Sequence, residues 1–327
     1  AESLAVLLAY SNPLDQYLMR HPAELFQRSP EHALIDPGNP RLLRAHLLCA
    51  AYEAPLTEAD ISLFGQGSRE ILDALALVAQ LELRGGRWFY PWDDRPASRV
   101  HLRGTESDPY LLVDAANGDE LLEELDASSA FFRVHPGAVH LHQGRAYLIT
   151  ELDLEHRIAR AVATNAPYYT EAIEDNQIEV IRSTRSRTDL AVPVYLGLVR
   201  VTVQVLGYRE REQFTGTTRA EHALDLPPQS YETQALWFGL PDQARHAVLG
   251  QSLDLAGGLH AVEHAMIAML PLLAMCDRND VGGVSTLAHP DTGAPQVFVY
   301  DAYPGGVGIT EKGFELVDEW WERTLAL

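Results

Sequence analysis

Cysteine and lysine are almost absent from this chain, and each scarcity excludes something. The two cysteines, Cys49 and Cys276, are too few for a disulfide framework or a four-cysteine metal centre. They fit a reducing, cytoplasmic setting. Lys312 is the single lysine, so positive charge rests on arginine, whose planar fork suits carboxylates and phosphates. Positive charge is itself in deficit: 25 Lys and Arg face 46 Asp and Glu, a formal net charge of -21. That balance excludes coating nucleic acid by bulk attraction, though it leaves room for a local basic stripe. Long apolar runs are scarce too. MIAMLPLLAMC falls short of the roughly 18 residues a membrane helix needs and contains proline, so no membrane span is expected. The opening AESLAVLLAY lacks the basic start and the cleavage site of a signal peptide.

What is present is an ordinary globular mixture, 46% hydrophobic and 22% charged, in 327 residues, enough for two or three domains. The chain begins without methionine inside a strand-like run, LAVLLAY, and stops at TLAL without a helix-ending glycine or asparagine. Both ends read as cuts in a longer protein. Residues 1–30 comprise that strand and a short helix, DQYLMRHPAELF, and read as the tail of a preceding domain. Residues 31–97 hold three helical patterns: RLLRAHLLCAAYE, LTEADISLFG capped by Thr57, and SREILDALALVAQLE from Ser68. ELRGGRWFYPW then reads as a hairpin around Gly85 and Gly86, which completes a winged helix. Residues 98–240 change to strand patterns (RVHLRG, YLLVDA, FFRVHPG, AVHLHQG, AYLITELD, QIEVIRS, YLGLVRVTVQVLGYRER, ETQALWF), a β-rich barrel or sandwich. Residues 241–327 return to helix, strand, helix: LHAVEHAMIAMLPLLAMC, QVFVYDAY and ITEKGFELVDEWWERTLAL. The fold class expected is α+β, with a C-terminal α/β domain.

Four places carry candidate chemistry. In HAVEH, His260, Glu263 and His264 have the spacing of an inverted zincin, two imidazoles four apart with a carboxylate to polarise water. The alternative is a buried helix whose polar flank bonds internally; helical projection places Leu259, Val262, Met266, Met269, Leu270 and Leu273 on one face, Glu263 near its edge and both histidines on its flank. VHPGAVHLHQG places His140 and His142 on one strand face, with His135 before the turn: a metal site or an exposed face. VFVYDAYPGGVGIT runs from strand to glycine-rich turn to helix, but it lacks both the dinucleotide fingerprint and the P-loop spacing. Gly305, Gly306 and Gly308 therefore make a tight turn, or one whose free amides meet a nucleic-acid phosphate, with Lys312 opposite it. Around the wing, Arg69, Arg84 and Arg87 are candidate backbone contacts. Trp88, Phe89 and Trp92 either stack on bases or pack on the helices.

Taken together, DPGNP, LLRAHLLCAAYEAPLTEADISLFG, VHPGAVHLHQGRAYLITELDLEHRIARA, LDLPPQSYETQALWF, HAVEHA, VGGVST and YDAYPGGVG resemble the C-terminal half of the MrfA/YprA-type superfamily II DNA helicases and their mycobacterial SftH relatives, across essentially the whole chain. An actinobacterial source is expected. The resemblance implies an ATP-dependent 3′ to 5′ DNA translocase linked to repair. Its two motor domains, which use ATP and magnesium, would precede this chain, with LAVLLAY as the end of the second. No ATPase motif lies in these residues, so no ATP hydrolysis is expected from them alone. The resemblance also implies a cysteine-rich zinc cluster immediately after the terminal helix, which is missing here. The leading expectation is a non-catalytic module that guides single-stranded DNA or a 3′-tailed duplex. The alternatives are a metallohydrolase on HAVEH and a docking module for a repair nuclease.

Overall fold

The structure is a computed structural model that describes residues 3–27, 34–65, 67–100, 102 and 109–327. In chain order the elements are α1 (Pro13–Arg20), α2 (Ala23–Gln27), α3 (Pro40–Glu53), α4 (Glu58–Phe64), α5 (Ser68–Leu77), β1 (Glu82–Arg84), β2 (Arg87–Phe89), β3 (Tyr110–Asp114), β4 (Glu120–Leu125), α6 (Ala127–Arg133), β5 (Val139–His142), β6 (Arg145–Asp153), β7 (Ile158–Thr164), β8 (Tyr168–Arg187), β9 (Val194–Glu212), β10 (Thr218–Ala223), β11 (Gln229–Gly239), α7 (Asp242–Gly250), α8 (Leu255–Met269), β12 (Val281–Thr286), β13 (Gln296–Asp301), α9 (Ile309–Glu315) and α10 (Val317–Leu325). The fold is mixed α+β, as expected. Two compact units divide it: Ala1–Val100 with Ile178–Arg200 and Glu232–Leu327, and His101–Gln177 with Val201–Tyr231. The stretch 98–240, read from sequence as one β-rich domain, is therefore shared between the units, because the long strands β8, β9 and β11 each contribute to both.

Within the first unit, residues 40–89 form the three helices and hairpin of the winged helix. Leu43, Leu47 and Ala51 recur at one face of α3 and meet Leu72, Leu75, Leu81 and Trp88 in a separate core. Pro40 opens α3 behind Asn39, whose Oδ1 accepts from the amides of Arg41 (2.9 Å) and Leu42 (3.3 Å). The third helix is shorter than its apolar pattern suggests. Ala79 turns left-handed (φ 57), and the Leu81 amide donates back to the Leu75 carbonyl at 3.2 Å. In the hairpin Glu82 pairs with Phe89 and Arg84 with Arg87, and Gly85 (φ 56) and Gly86 (φ 75) supply the two left-handed positions of a two-residue turn.

The C-terminal part of this unit packs α8, α9 and α10 on the antiparallel strands β11, β13 and β12. Trp320 is fully buried, and its indole N–H donates to the Met266 carbonyl at 2.9 Å. Three expectations change here. The terminal pattern ITEKGFELVDEWWERTLAL breaks into two helices at Leu316. On α8 Val262 is 42% exposed while Glu263 is 5% exposed, so the buried face is rotated toward the carboxylate. The run Leu255–Leu272 does reach 18 residues at mean hydropathy 1.3, long and apolar enough by composition to cross a membrane, yet Met266 to Leu270 of it line this core. Residues 13–27 have no core of their own and share this one: Tyr17 is buried in it, and Arg323 bridges to Glu24 at 2.7 Å. Ahead of them Leu4, Val6, Leu7 and Leu8 are 58–89% exposed and form no ladder among the described residues, so the expected strand LAVLLAY lacks a partner.

The second unit contains a five-stranded sheet in the order β4-β3-β7-β6-β5, antiparallel except for the parallel β3/β7 pair. Its core gathers Leu112, Leu125, Phe131, Ile149 and Ala161. Of FFRVHPG, expected as a strand, residues 131–133 close α6 and residues 134–137 form bends and turns. Asp126 accepts from the Ser128 amide (2.9 Å) and starts α6, so its small polar residues serve a cap instead of a strand edge. β4 and β7 were not expected as strands. Of the expected strand RVHLRG, residues 101, 103 and 104 lie outside the described residues.

Candidate nucleic-acid interface

Local chemistry has already engaged most of the wing arginines. Arg69, at the start of α5, pairs with Glu58 and with Asp73 (2.9 Å), and its guanidinium lies 5.2 Å from the centroid of the Trp88 ring. Arg84 pairs with Glu82 across its own strand. Arg87 is exposed and, among the described residues, has no ionic partner. Trp88 is 1% exposed and fills the winged-helix core, so it is withdrawn as a base-stacking candidate: a ring this buried has no face to offer. Three residues past β2, Trp92 is 59% exposed. The wing therefore presents Arg87 and Trp92, and the sequence named the first as a contact.

The glycine-rich turn after β13 differs from the expected cradle of free amides. Asp301, fully buried at the end of β13, accepts from the amides of Val307 (2.6 Å), Gly308 (2.9 Å) and Ile309 (3.3 Å) through Oδ2, and of Thr310 (2.8 Å) through Oδ1. Burial pushes the Asp301 carboxyl up, and the amide bonds oppose that rise. The helix N-terminus thus already holds its anion, an internal one. The Gly305 amide donates to the Glu232 carbonyl (2.8 Å) and that of Gly306 to the Tyr303 carbonyl (3.0 Å). Asn39 Nδ2 donates to the Gly306 carbonyl at 2.5 Å, which ties this turn to the capping residue of α3. Lys312 pairs with Glu315 at 3.2 Å. The amides of Gly305, Gly306 and Gly308 are thus engaged within the chain, and Lys312 lies beside Glu315. Asp301 was the missed signal, an acid placed just ahead of three glycines.

In HAVEH the side chains form a hydrogen-bonded chain. Arg278 Nη2 donates to His264 Nδ1 (3.2 Å), His264 Nε2 meets His260 Nε2 (3.1 Å), and His260 Nδ1 meets Glu263 Oε2 (3.4 Å). With a guanidinium holding Nδ1 as an acceptor, His264 carries its proton on Nε2 and offers no lone pair toward His260. The triad lies close enough to hold a cation, and the Arg278 guanidinium stands beside it. The side chains thus form the internally bonded flank that the sequence offered as the alternative to a metallohydrolase.

Comparison with known proteins follows this geometry. Residues 262–327 match the family described as the MrfA Zn-binding domain, and residues 35–105 match the winged helix domain of the ATP-dependent helicase HRQ1. The uncharacterized ATP-dependent helicase YprA of Bacillus subtilis is 32% identical over 96% of this chain and 42% of its own length. The ATP-dependent helicase HRQ1 of Saccharomyces cerevisiae is 28% identical over 99% of this chain and 32% of its own. Among solved structures, the helicase MrfA bound to DNA superposes with a TM-score of 0.61 at 30% identity, covering 95% of this chain and 41% of that one. The chain thus spans less than half the length of these relatives. Zinc, named in the first of these descriptions, finds no four-cysteine set within residues 262–327, where Cys276 is the one cysteine. Over nearly its whole length the chain is therefore related to the C-terminal region of the MrfA/YprA/HRQ1-type helicases and carries segments matching that group's winged-helix and MrfA Zn-binding domains.

Proposed function

We propose that this chain is the accessory, DNA-guiding region of an ATP-dependent DNA helicase that moves 3′ to 5′ in DNA repair, acting on single-stranded DNA or a 3′-tailed duplex. The observation that carries the reading is the similarity of 95% of the chain to a helicase whose structure is bound to DNA. The wing gives it local chemistry: Arg87 offers an unpaired fork for a phosphate, and Trp92 an exposed ring for a base. The exposed apolar run from Leu4 to Leu8 supports docking on motor domains in cis, since an extended apolar segment without a ladder suits a sheet completed by a neighbour. ATP and magnesium belong to those motor domains, and this chain alone is inactive as an ATPase. The reading places the protein in the cytoplasm at the nucleoid, and the alanine- and arginine-rich composition supports an actinobacterial source. It is tested by binding a 3′-tailed duplex to the Arg87→Ala/Trp92→Ala variant: weaker binding supports the wing, and unchanged affinity removes it.

A second reading, a docking surface for a repair nuclease, is favoured by one observation. Arginines such as Arg160, Arg187, Arg200 and Arg211 are each neutralised by neighbouring acids, which leaves a strongly acidic exterior. Retention of such a nuclease by this chain, with no DNA binding, would favour it.

A further inference from the structure

The five-stranded sheet of the second unit ends in β4 on one side and β5 on the other. These two edges share no backbone ladder, yet their side chains meet. Glu123 on β4 reaches His140 Nε2 at 3.0 Å and His142 Nδ1 at 3.3 Å, both through the same oxygen, Oε2. The sheet is therefore curled until its two margins approach, and this cluster spans the seam. The other carboxylate oxygen, Oε1, accepts from Arg133 Nη2 at 3.0 Å, which fixes the direction in which Oε2 points. His140 is buried, with a side chain 4% exposed, while His142 and Glu123 are partly covered at 17% and 27%. A buried imidazole facing a carboxylate across a seam is already an organised donor group.

We propose that Glu123, His140 and His142 form a binding site for a divalent transition-metal ion, with zinc as the best match, which clasps the open seam of the curled sheet. One carboxylate and two imidazoles are a donor set that zinc takes up, with bond lengths of about 2.0–2.2 Å. Tetrahedral bonds of that length put neighbouring donors about 3.3 Å apart. The two measured separations from Oε2, 3.0 and 3.3 Å, sit near that edge, and all three donor atoms lie within 4.8 Å of one another. Binding requires the two imidazoles to present lone pairs to the ion instead of protons to the carboxylate. Three protein donors leave one tetrahedral position for water. Arg133 on Oε1 is the outer partner that keeps the carboxylate oriented. His135, grouped with these histidines by its sequence position, lies elsewhere: its ring stands 4.7 Å from that of Tyr208 and it is not one of the three donors.

The test uses the whole chain, stripped with chelator and then titrated with zinc, with cobalt(II) as a coloured substitute. The wild type should take up about one zinc per chain, melt at a higher temperature with zinc than without it, and show the visible bands of tetrahedral cobalt. Glu123→Gln keeps an oxygen acceptor for both imidazoles, and His142→Gln alters a half-covered position, so both variants should fold and lose the zinc uptake and the zinc-dependent melting shift. His260→Ala/His264→Ala should retain both. No zinc uptake by the folded wild type, uptake undiminished in Glu123→Gln and His142→Gln, or uptake abolished by the His260/His264 double change would each overturn the proposal.

Discussion

At the level of single residues, Asp301 and His135 show how burial sets a side chain's task. Asp301 satisfies four amides at the start of α9, so Asp301→Ala strands four donors at once, two of them buried. It should cost about 3 kcal/mol or more, since hydrogen bonds to a charged acceptor are worth roughly 1.5–3 kcal/mol each and rarely add in full. Urea unfolding with an unchanged m-value checks this. Lys312→Ala removes only a pair at the surface and should leave stability within about 0.5 kcal/mol and DNA binding unaltered. His135 is fully buried; its Nδ1 meets the Pro136 carbonyl at 3.0 Å, and its Nε2 has no hydrogen-bond partner. Burial pushes its pKa below the ordinary value while the Pro136 carbonyl opposes that shift. The unfolded chain therefore binds a proton more readily than the folded one. The stability from neutral His135 is complete above about pH 6.5 and is lost as pH falls below that value toward the depressed folded pKa. Melting temperatures from pH 8 to pH 5 should fall for the wild type, and less steeply for His135→Gln. An equal fall in both would assign the acid sensitivity to other groups.

At the level of elements, periodicity and punctuation carried most of what the sequence disclosed. The Thr57 start of α4 and the Gly85–Gly86 hairpin were legible because each depends on local chemistry. Both the Thr57 amide and its hydroxyl donate to Asp60, at 2.8 and 2.7 Å. Elements decided by distant partners were not legible. FFRVHPG has the apolar residues of a strand, but the cap at Asp126 and packing against the sheet drew its first three residues into α6. Glu123 was invisible as a partner of His140 because the two meet only when the sheet curls. Of the candidate site, Arg87 could be read from its place at the wing, whereas the loss of Trp88 to the core and the capture of the turn amides by Asp301 required the fold. The glycines of VGGVST belong here as well. A Cβ at Gly283 would stand 2.7 Å from Glu263 Cγ and from Ile267 Cδ1, so α8 lies directly over that backbone. Gly283→Ala should cost about 1–3 kcal/mol through overpacking. A thermal melt within a degree of the wild type would show that α8 yields instead.

At the level of the whole molecule, the proposed DNA-guiding role of this chain is constrained by charge. Its net charge of -21 and its neutralised arginines restrict any DNA contact to a few phosphates, in contrast to a broad basic surface. ATP turnover by the purified chain should be indistinguishable from buffer with or without DNA, because the groups that cradle a γ-phosphate are not among its motifs. The most direct measurement is the affinity of the 327-residue chain for a 3′-tailed duplex across a salt series. The account predicts measurable binding that weakens with salt at a log–log slope of about -1 to -3, the signature of one to three phosphates. No binding at low salt would contradict it.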